Sequence, residues 1–320
     1  MFVWRSLADV PADFGPSVVT VGNFDGFHLG HRHVLKCAHD TAIALSTSGY
    51  PPPVVAVTFD PHPLAVLAPD KAPAQLTTID QRARHLAVGG ANQVLALPFD
   101  KDTAAWSPQT FVRRVLVDAL HADAVVVGEN FRFGHRAAGD VATLTRLGEE
   151  HGFTVEGLAL DGDLQPWSST YVRQMIAEGD VEEAARALGH FYTVEGVVAE
   201  GDRRGRALGF PTANVPAGGL TAIPDDGVYA GLLRRLDQPA AGVLPAAVSV
   251  GTNPTFDGVE RRVESYVLDR TDLELYGVRV EVSFVGRLRG QIRFDGVQPL
   301  IEQMRLDVGR ARDILGMVRG

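Results

Sequence analysis

Cys37 is the only cysteine among 320 residues, so no intramolecular disulfide can form, and the composition suits a reducing compartment. Aromatic residues make up only 8% of the chain, and no stretch approaches the ~20 apolar residues that a bilayer-spanning helix needs. Positive charge is also scarce. Thirty Lys and Arg stand against 39 Asp and Glu, giving a formal net charge of −9. Broad nucleic-acid binding relies on clustered cations that release counterions, so no nucleic-acid partner is expected and any phosphate recognition must be local. The first thirty residues include Asp9, Asp13 and Asp25 and no uninterrupted apolar run, which is unlike a secretory signal. No internal repeat and no low-complexity tail stands out. These absences argue against a disulfide scaffold, a membrane partner and a repeat array, and they lead to an expected cytoplasmic location. Oligomeric state is not legible in the sequence.

The chain is long enough for two domains at roughly 100–200 residues each. From residue 18 to about 158, apolar runs at 18–21, 54–59, 94–97, 124–127 and 154–158 alternate with helical stretches. That alternation predicts α/β architecture, a parallel sheet covered on both faces. Ser107-Pro108 ahead of Phe111, Val112, Val115 and Leu116 supplies a helix N-cap, a first-turn proline and an apolar stripe. A short helical region at 171–176 and 181–188, interrupted at Gly179-Asp180, leads to a domain boundary around Gly189, hence domains 1–188 and 189–320. Beyond it, short β-rich runs at 192–199, 227–233, 246–250, 263–268 and 278–285 are punctuated by glycine and predict an antiparallel barrel. Leu300, Met304, Val308, Ala311 and Leu315 form a helical stripe suited to packing on that barrel.

Two segments carry the chemistry. In the first, the run 18–21 breaks at Gly22 and passes through Gly26 and Gly30 into a helix beginning around His31. A strand, glycine-rich turn and helix bring backbone N–H groups and a positive helix end to a phosphate. His28 and His31 lie three apart in that turn, where imidazoles could donate to phosphate oxygens. Taken by themselves, the glycines are better explained by a tight structural turn, which is common. No cysteine or carboxylate cluster flanks the pair at metal-ligand spacing, which disfavours zinc. In the second segment, Gly201, Gly205 and Gly209 are interleaved with Arg203, Arg204 and Arg206 ahead of Pro211-Thr-Ala-Asn214. No Gly-Lys-Ser/Thr follows, so this is not a Walker A loop, although backbone amides can still cradle phosphates.

The string Gly22-Asn-Phe-Asp-Gly-Phe-His-Leu-Gly-His31 resembles the Gly-x-Phe-Asp-x-x-His-x-Gly-His pattern of the nucleotidyltransferase superfamily. With Thr58-Phe-Asp-Pro-His-Pro63, Gly128-Glu-Asn-Phe-Arg-Phe-Gly134 and Ser168-Ser-Thr-Tyr-Val-Arg173, it resembles in order and spacing the bacterial bifunctional riboflavin kinase/FMN adenylyltransferases, or FAD synthetases. Pro211-Thr-Ala-Asn214, Gly227-Val-Tyr-Ala-Gly231, Gly251-Thr-Asn-Pro-Thr255 and Val263-Glu-Ser-Tyr-Val-Leu-Asp269 are similar to the riboflavin kinase module. The resemblance covers nearly the whole chain. It implies a Rossmann-like nucleotidyltransferase domain followed by a β-barrel kinase domain. Riboflavin and ATP would give FMN, and FMN and ATP would give FAD, with Mg²⁺ as cofactor.

What the resemblance implies can be carried residue by residue. Gly22, Asn23, Phe24 and Asp25 would line the first ATP pocket, with His28 and His31 donating to its phosphates. Ser169 and Thr170 would bind the triphosphate, and Arg173 would neutralise departing pyrophosphate. His62, Asn130 and Phe131 fall on the flavin side, with Phe131 and Phe133 open to two readings, isoalloxazine stacking or core packing. The resemblance leads one to expect Asp where Asn130 stands, and an amide donates as well as accepts, so a strictly anionic role does not follow. In the second half, Gly205, Arg206, Gly209, Thr212 and Asn214 would serve the kinase ATP, Thr212 and Asn214 would also hold Mg²⁺, and Glu264 would be the general base. Two other readings stay open: an adenylyltransferase for another phosphorylated metabolite, with the barrel as a specificity domain, and a non-catalytic flavin sensor.

Overall fold

A computed structural model describes residues 3–47, 49–159, 167–200, 210–216, 220–255, 258–270 and 272–318. Packing divides the chain into two compact units, one of residues 1–73 and 78–168, the other of residues 74–77 and 169–320.

The first unit holds a parallel six-stranded sheet of β1 (Val3–Trp4), β2 (Ser17–Val21), β3 (Val54–Asp60), β4 (Gln93–Pro98), β5 (Ala122–Gly128) and β6 (Thr154–Leu158), in the order β1-β4-β3-β2-β5-β6. The five predicted strands are all present, and the two-residue β1 is an addition too short to show periodicity. Alternate residues feed two cores. Val19, Val21, Val55, Val57, Val125 and Val127 point to one, while Val18, Val54, Ala56, Val94, Ala124 and Val126 point to the other. Burial on both faces explains why these strands read as continuous apolar runs. Helix α1 (Leu29–Ala44) covers the second face through Val34, Leu35, Ala38 and Ala42. The predicted helix after Ser107 is capped by the Ser107 hydroxyl, which accepts from the Thr110 N–H; it runs as α-helix over Pro108–Phe111 and then as a wider π-turn over Val112–Val117. Strand order reverses at β2, between β3 and β5, and ligands of open α/β sheets bind at the carboxyl edge of such a switch point.

The second unit is a curled antiparallel sheet of β7 (Tyr192–Val197), β8 (Thr212–Pro216), β9 (Gly227–Arg235), β10 (Val243–Thr255), β11 (Gly258–Val267) and β12 (Arg279–Gly290), in the order β7-β12-β9-β10-β11-β8. Its edges meet where the Ala199 N–H donates to the Asn214 carbonyl at 2.9 Å. The terminal helix (Val297–Val318) packs Ala311 and Leu315 against Ala230, Leu268 and Val285, with Val308 beside them. Bidentate Arg289–Asp307 contacts, as short as 2.7 Å, pin that helix to β12.

Helices Ser169–Glu178 and Val181–Leu188 pack with this second unit, so the packing division falls 20 residues before the boundary that sequence texture suggests. Arg287 of β12 accounts for the difference. Its guanidinium donates to the Glu178 carbonyl at 2.8 Å and to Asp225 Oδ2 at 2.6 Å, and its backbone N–H donates to Glu182 Oε1 at 3.1 Å. A methyl at Gly179 would meet Arg287 Nη1 at 2.5 Å, so the helix junction is shaped around this cation.

Candidate functional sites

In the first unit, the loops after β2, β3 and β5 leave the carboxyl edge of three adjacent strands and carry Gly22 to His28, His62 and Asn130. The β2 loop is held in an unusual shape. Phe24, Gly26 and Phe27 all adopt positive φ, at 49°, 82° and 46°. Positive φ is costly for a side chain with a Cβ, about 1 kcal/mol or more each, and persists only where the surroundings impose it. Here both phenylalanine rings drop into the core beside Leu35 and Leu86. The turn therefore trades backbone strain for aromatic burial and leaves its peptide groups ahead of α1. First-turn N–H groups of a helix lack intrahelical acceptors, which suits an anion at this end.

Beneath the loop lies a buried ion pair. Asp25 and Arg82, 1% and 3% exposed, approach within 3.5 Å, and Arg82 also donates to Thr58 Oγ1 at 3.0 Å and to the Phe59 carbonyl at 3.3 Å. The Thr58 hydroxyl in turn donates to the Asn23 carbonyl at 2.9 Å. The Asp25 carboxylate is thus turned inward, toward Arg82. Arg82 was not among the residues singled out from sequence; a lone arginine behind a Thr78/Gln81 capping box resembles any helical surface cation.

His28 and His31 stack with ring centroids 3.6 Å apart, and Phe24 meets His31 edge-on at 5.2 Å. His31 Nδ1 is buried, with no hydrogen-bond partner among the described residues. Burial, then the neighbouring His28, then Arg82 hold the His31 imidazole well below its ordinary pKa, so it is neutral and carries a single N–H. A side chain at Gly30 would press on the His28 ring at 3.1 Å.

His62 caps the short helix Pro63–Leu67, its Nδ1 accepting from the Leu64 N–H at 3.2 Å, and its Nε2 lies 3.3 Å from Asn23 Nδ2. The β2 loop is so joined both to strand β3, through Thr58, and to the loop after it, through His62. Asn130 is exposed beyond β5. Phe133 is a core residue packed against Phe111. Phe131 is half-buried and stacks on Phe133 at 5.3 Å and 11°.

Ser169, Thr170 and Arg173 belong to the other compact unit. Both hydroxyl residues lie inside the first helical turn of Ser169–Glu178, and Arg173 Nε–H donates to the Ala74 carbonyl at 2.6 Å.

The second unit groups Thr212, Asn214 and Glu264 by register. Pro211-Thr-Ala-Asn214 runs into the edge strand β8. Ala213 and Val215 point to the core, so Thr212 and Asn214 share the opposite face. On β11, Glu264 pairs with Asn214 and Tyr266 with Thr212, placing all four on that face. The ring of Tyr266 joins the cluster under the terminal helix and meets Phe210 edge-on at 5.1 Å, while Asn214 is 8% exposed. Gly205, Arg206 and Gly209 lie outside the described residues. Thr212 and Asn214 offer neutral oxygens, and the described residues contain no group of three His, Cys, Asp or Glu able to hold a metal by themselves. Two hard oxygen donors, completed by substrate phosphates and water, suit Mg²⁺ rather than zinc.

Among the described residues no helix is long and apolar enough to cross a membrane. Residues 10–169 match the family described as FAD synthetase, and residues 188–315 match riboflavin kinase. The chain is 36% identical over 304 residues to the bifunctional riboflavin kinase/FMN adenylyltransferase of Escherichia coli K12, covering 94% of each protein. It is 35% identical over 313 residues to that of Pseudomonas fluorescens, covering 96% of each, and 35% identical over 295 residues to that of Listeria monocytogenes. A crystal structure from Streptococcus pneumoniae, described as a macrolide-efflux protein, superposes with a TM-score of 0.83 at 29% identity, covering 97% of this chain and 99% of that one.

Proposed function

Since the chain belongs to the bifunctional riboflavin kinase/FMN adenylyltransferase family, and so makes FMN from riboflavin and FAD from FMN with ATP as co-substrate, we propose how its residues divide the two reactions. Residues 1–188 serve adenylyl transfer and residues 189–320 serve phosphorylation.

Adenylyl transfer needs no protein nucleophile. An FMN phosphate oxygen attacks the α-phosphorus of ATP, and pyrophosphate leaves with the electron pair of the broken bond. What the protein supplies is alignment and stabilisation of developing negative charge. The backbone of Gly22 to Asp25 is assigned to the lining of the ATP pocket and the N–H groups of His28 and His31 to the ATP phosphates, supported by the stacked imidazoles and a strained loop ahead of α1. Ser169, Thr170 and Arg173 are assigned to the triphosphate by their motif, with Arg173 neutralising pyrophosphate. His62, Asn130 and Phe131 take the flavin side.

Phosphorylation requires removal of a proton from the ribityl 5′-hydroxyl. Glu264 is assigned as the base, Thr212 and Asn214 as the residues that hold Mg²⁺ and phosphate oxygens, and Gly205, Arg206 and Gly209 as ATP contacts. Bound Mg²⁺ supplies charge neutralisation to the phosphates. The observation that carries this assignment is the β8–β11 register, which sets Asn214 opposite Glu264 and Thr212 two pairs further on. An adenylyltransferase for a different metabolite finds no supporting observation. Chromatography of the products formed from riboflavin and MgATP tests the pair of activities: FMN followed by FAD is expected, and well-folded protein yielding neither would refute the reading.

A further inference from the structure

Glu264 has a second neighbour across the sheet. In the β10–β11 register its partner is Ser249, so hydroxyl and carboxylate stand side by side on the face that carries Thr212 and Asn214. Val248 and Val250 on either side of Ser249 are fully buried in the opposite direction, which fixes this orientation.

Ser249 is itself held. Gln291, just past the end of β12, donates from Nε2 to the Val250 carbonyl at 2.8 Å and to Ser249 Oγ at 3.4 Å. Gly251 leaves the room for that amide, since a Cβ there would stand 3.2 Å from Gln291 Nε2. The glycine that opens the Gly251-Thr-Asn-Pro-Thr255 motif thereby has a packing reason. A serine hydroxyl has two lone pairs and one proton. With a lone pair engaged by Gln291, its proton is left for an acceptor on the same face. Around Glu264 that face carries Arg262 and Tyr266 on its own strand, Thr212 and Asn214 on β8, and Ser249 on β10. Among these, the Glu264 carboxylate is the charged acceptor, and charge-assisted bonds are the stronger ones.

We propose that Ser249, set by Gln291, is a positioning residue for the kinase step: its hydroxyl donates to Glu264 and fixes the carboxylate in line with the ribityl 5′-hydroxyl. The proposal rests on the assignment of Glu264 as base. In that step the 5′-oxygen bonds to the γ-phosphorus, the bond from phosphorus to the β,γ-bridging oxygen breaks with its electron pair leaving on ADP, and the hydroxyl proton passes to Glu264. A misaligned base costs turnover rather than substrate binding, by as much as ~100-fold for an ångström of displacement.

The test is steady-state riboflavin phosphorylation by the full chain carrying Ser249→Ala, Ser249→Thr, Gln291→Leu or Glu264→Gln, with FMN adenylylation measured on each sample. Ser249→Ala is expected to lose roughly ten- to a hundredfold in kcat with the riboflavin KM nearly unchanged. Ser249→Thr should restore most of it, Gln291→Leu should lose less than Ser249→Ala, and FMN adenylylation should stay at the wild-type rate. Unaltered kcat in Ser249→Ala, a loss carried by KM, or a threonine no better than alanine would overturn the proposal. Glu264→Gln separates the two levels. If it keeps kinase activity, the base assignment falls and the positioning role with it; if it is inactive while Ser249→Ala is normal, only the positioning role falls.

Discussion

Removing the Arg82 guanidinium would leave the Asp25 carboxylate buried without its counter-ion, under a loop that already carries positive φ at Phe24 and Phe27. Breaking a buried pair from one side costs about 3–5 kcal/mol. Arg82→Ala should lose stability on that scale in denaturant titration, and a loss under 1 kcal/mol would show that water reaches Asp25. His31 yields a pH prediction. Its imidazole is held neutral in the folded chain but titrates near 6.5 when unfolded, so below about pH 6.5 the unfolded chain binds the additional proton. Stability therefore drops as pH falls through that region, and His31→Asn should flatten part of the drop. Denaturation midpoints at pH 7.5 and 5.5 for both proteins give the comparison; identical slopes would contradict a depressed His31.

Two glycines test the coupling of elements to sites. A Cβ at Gly89 would meet the Phe27 ring at 2.5 Å and Leu35 at 2.9 Å, so Gly89→Ala should displace the phenylalanine that anchors the β2 loop. A Cβ at Gly196 on β7 would meet Val215 Cγ1 at 2.5 Å and push on β8, the strand that carries Thr212 and Asn214. Overpacking of this kind costs about 1–3 kcal/mol. Gly89→Ala is expected to impair FMN adenylylation and spare riboflavin phosphorylation, with Gly196→Ala doing the opposite; assays of both reactions on both variants decide it, and equal damage to both reactions would show that the strain is not local. Much of the element order was readable because strands buried on both faces are plain apolar runs and because Gly179, Gly189 and the turn glycines punctuate the rest. Strand β8 was not, since its polar outer residues and Pro211 make the tetrad read as a turn. Nor was the inward turn of Asp25 toward Arg82, which depends on contacts between residues 57 positions apart. The motif residues Thr212, Asn214 and Glu264 were legible one by one, whereas Ser249 becomes visible only when register sets it beside Glu264, and Gln291 only through its contact with Ser249.

At the scale of the molecule, two chemically different tasks are proposed for one polypeptide of two compact units. One holds a parallel sheet whose switch point gathers the β2, β3 and β5 loops. The other holds a curled antiparallel sheet whose β8–β11 face gathers oxygen donors and a carboxylate. The central claim is that one set of residues manages charge at an α-phosphorus and a separate set at a γ-phosphorus. The most direct measurement is the time course of flavin products from riboflavin and MgATP, and separately from FMN and MgATP, for the wild-type chain, Asn214→Ala and His31→Ala. The account predicts FMN then FAD from the wild type, no FMN from Asn214→Ala with FMN-to-FAD conversion intact, and accumulation of FMN without FAD from His31→Ala. Loss of both conversions in each folded variant would contradict it.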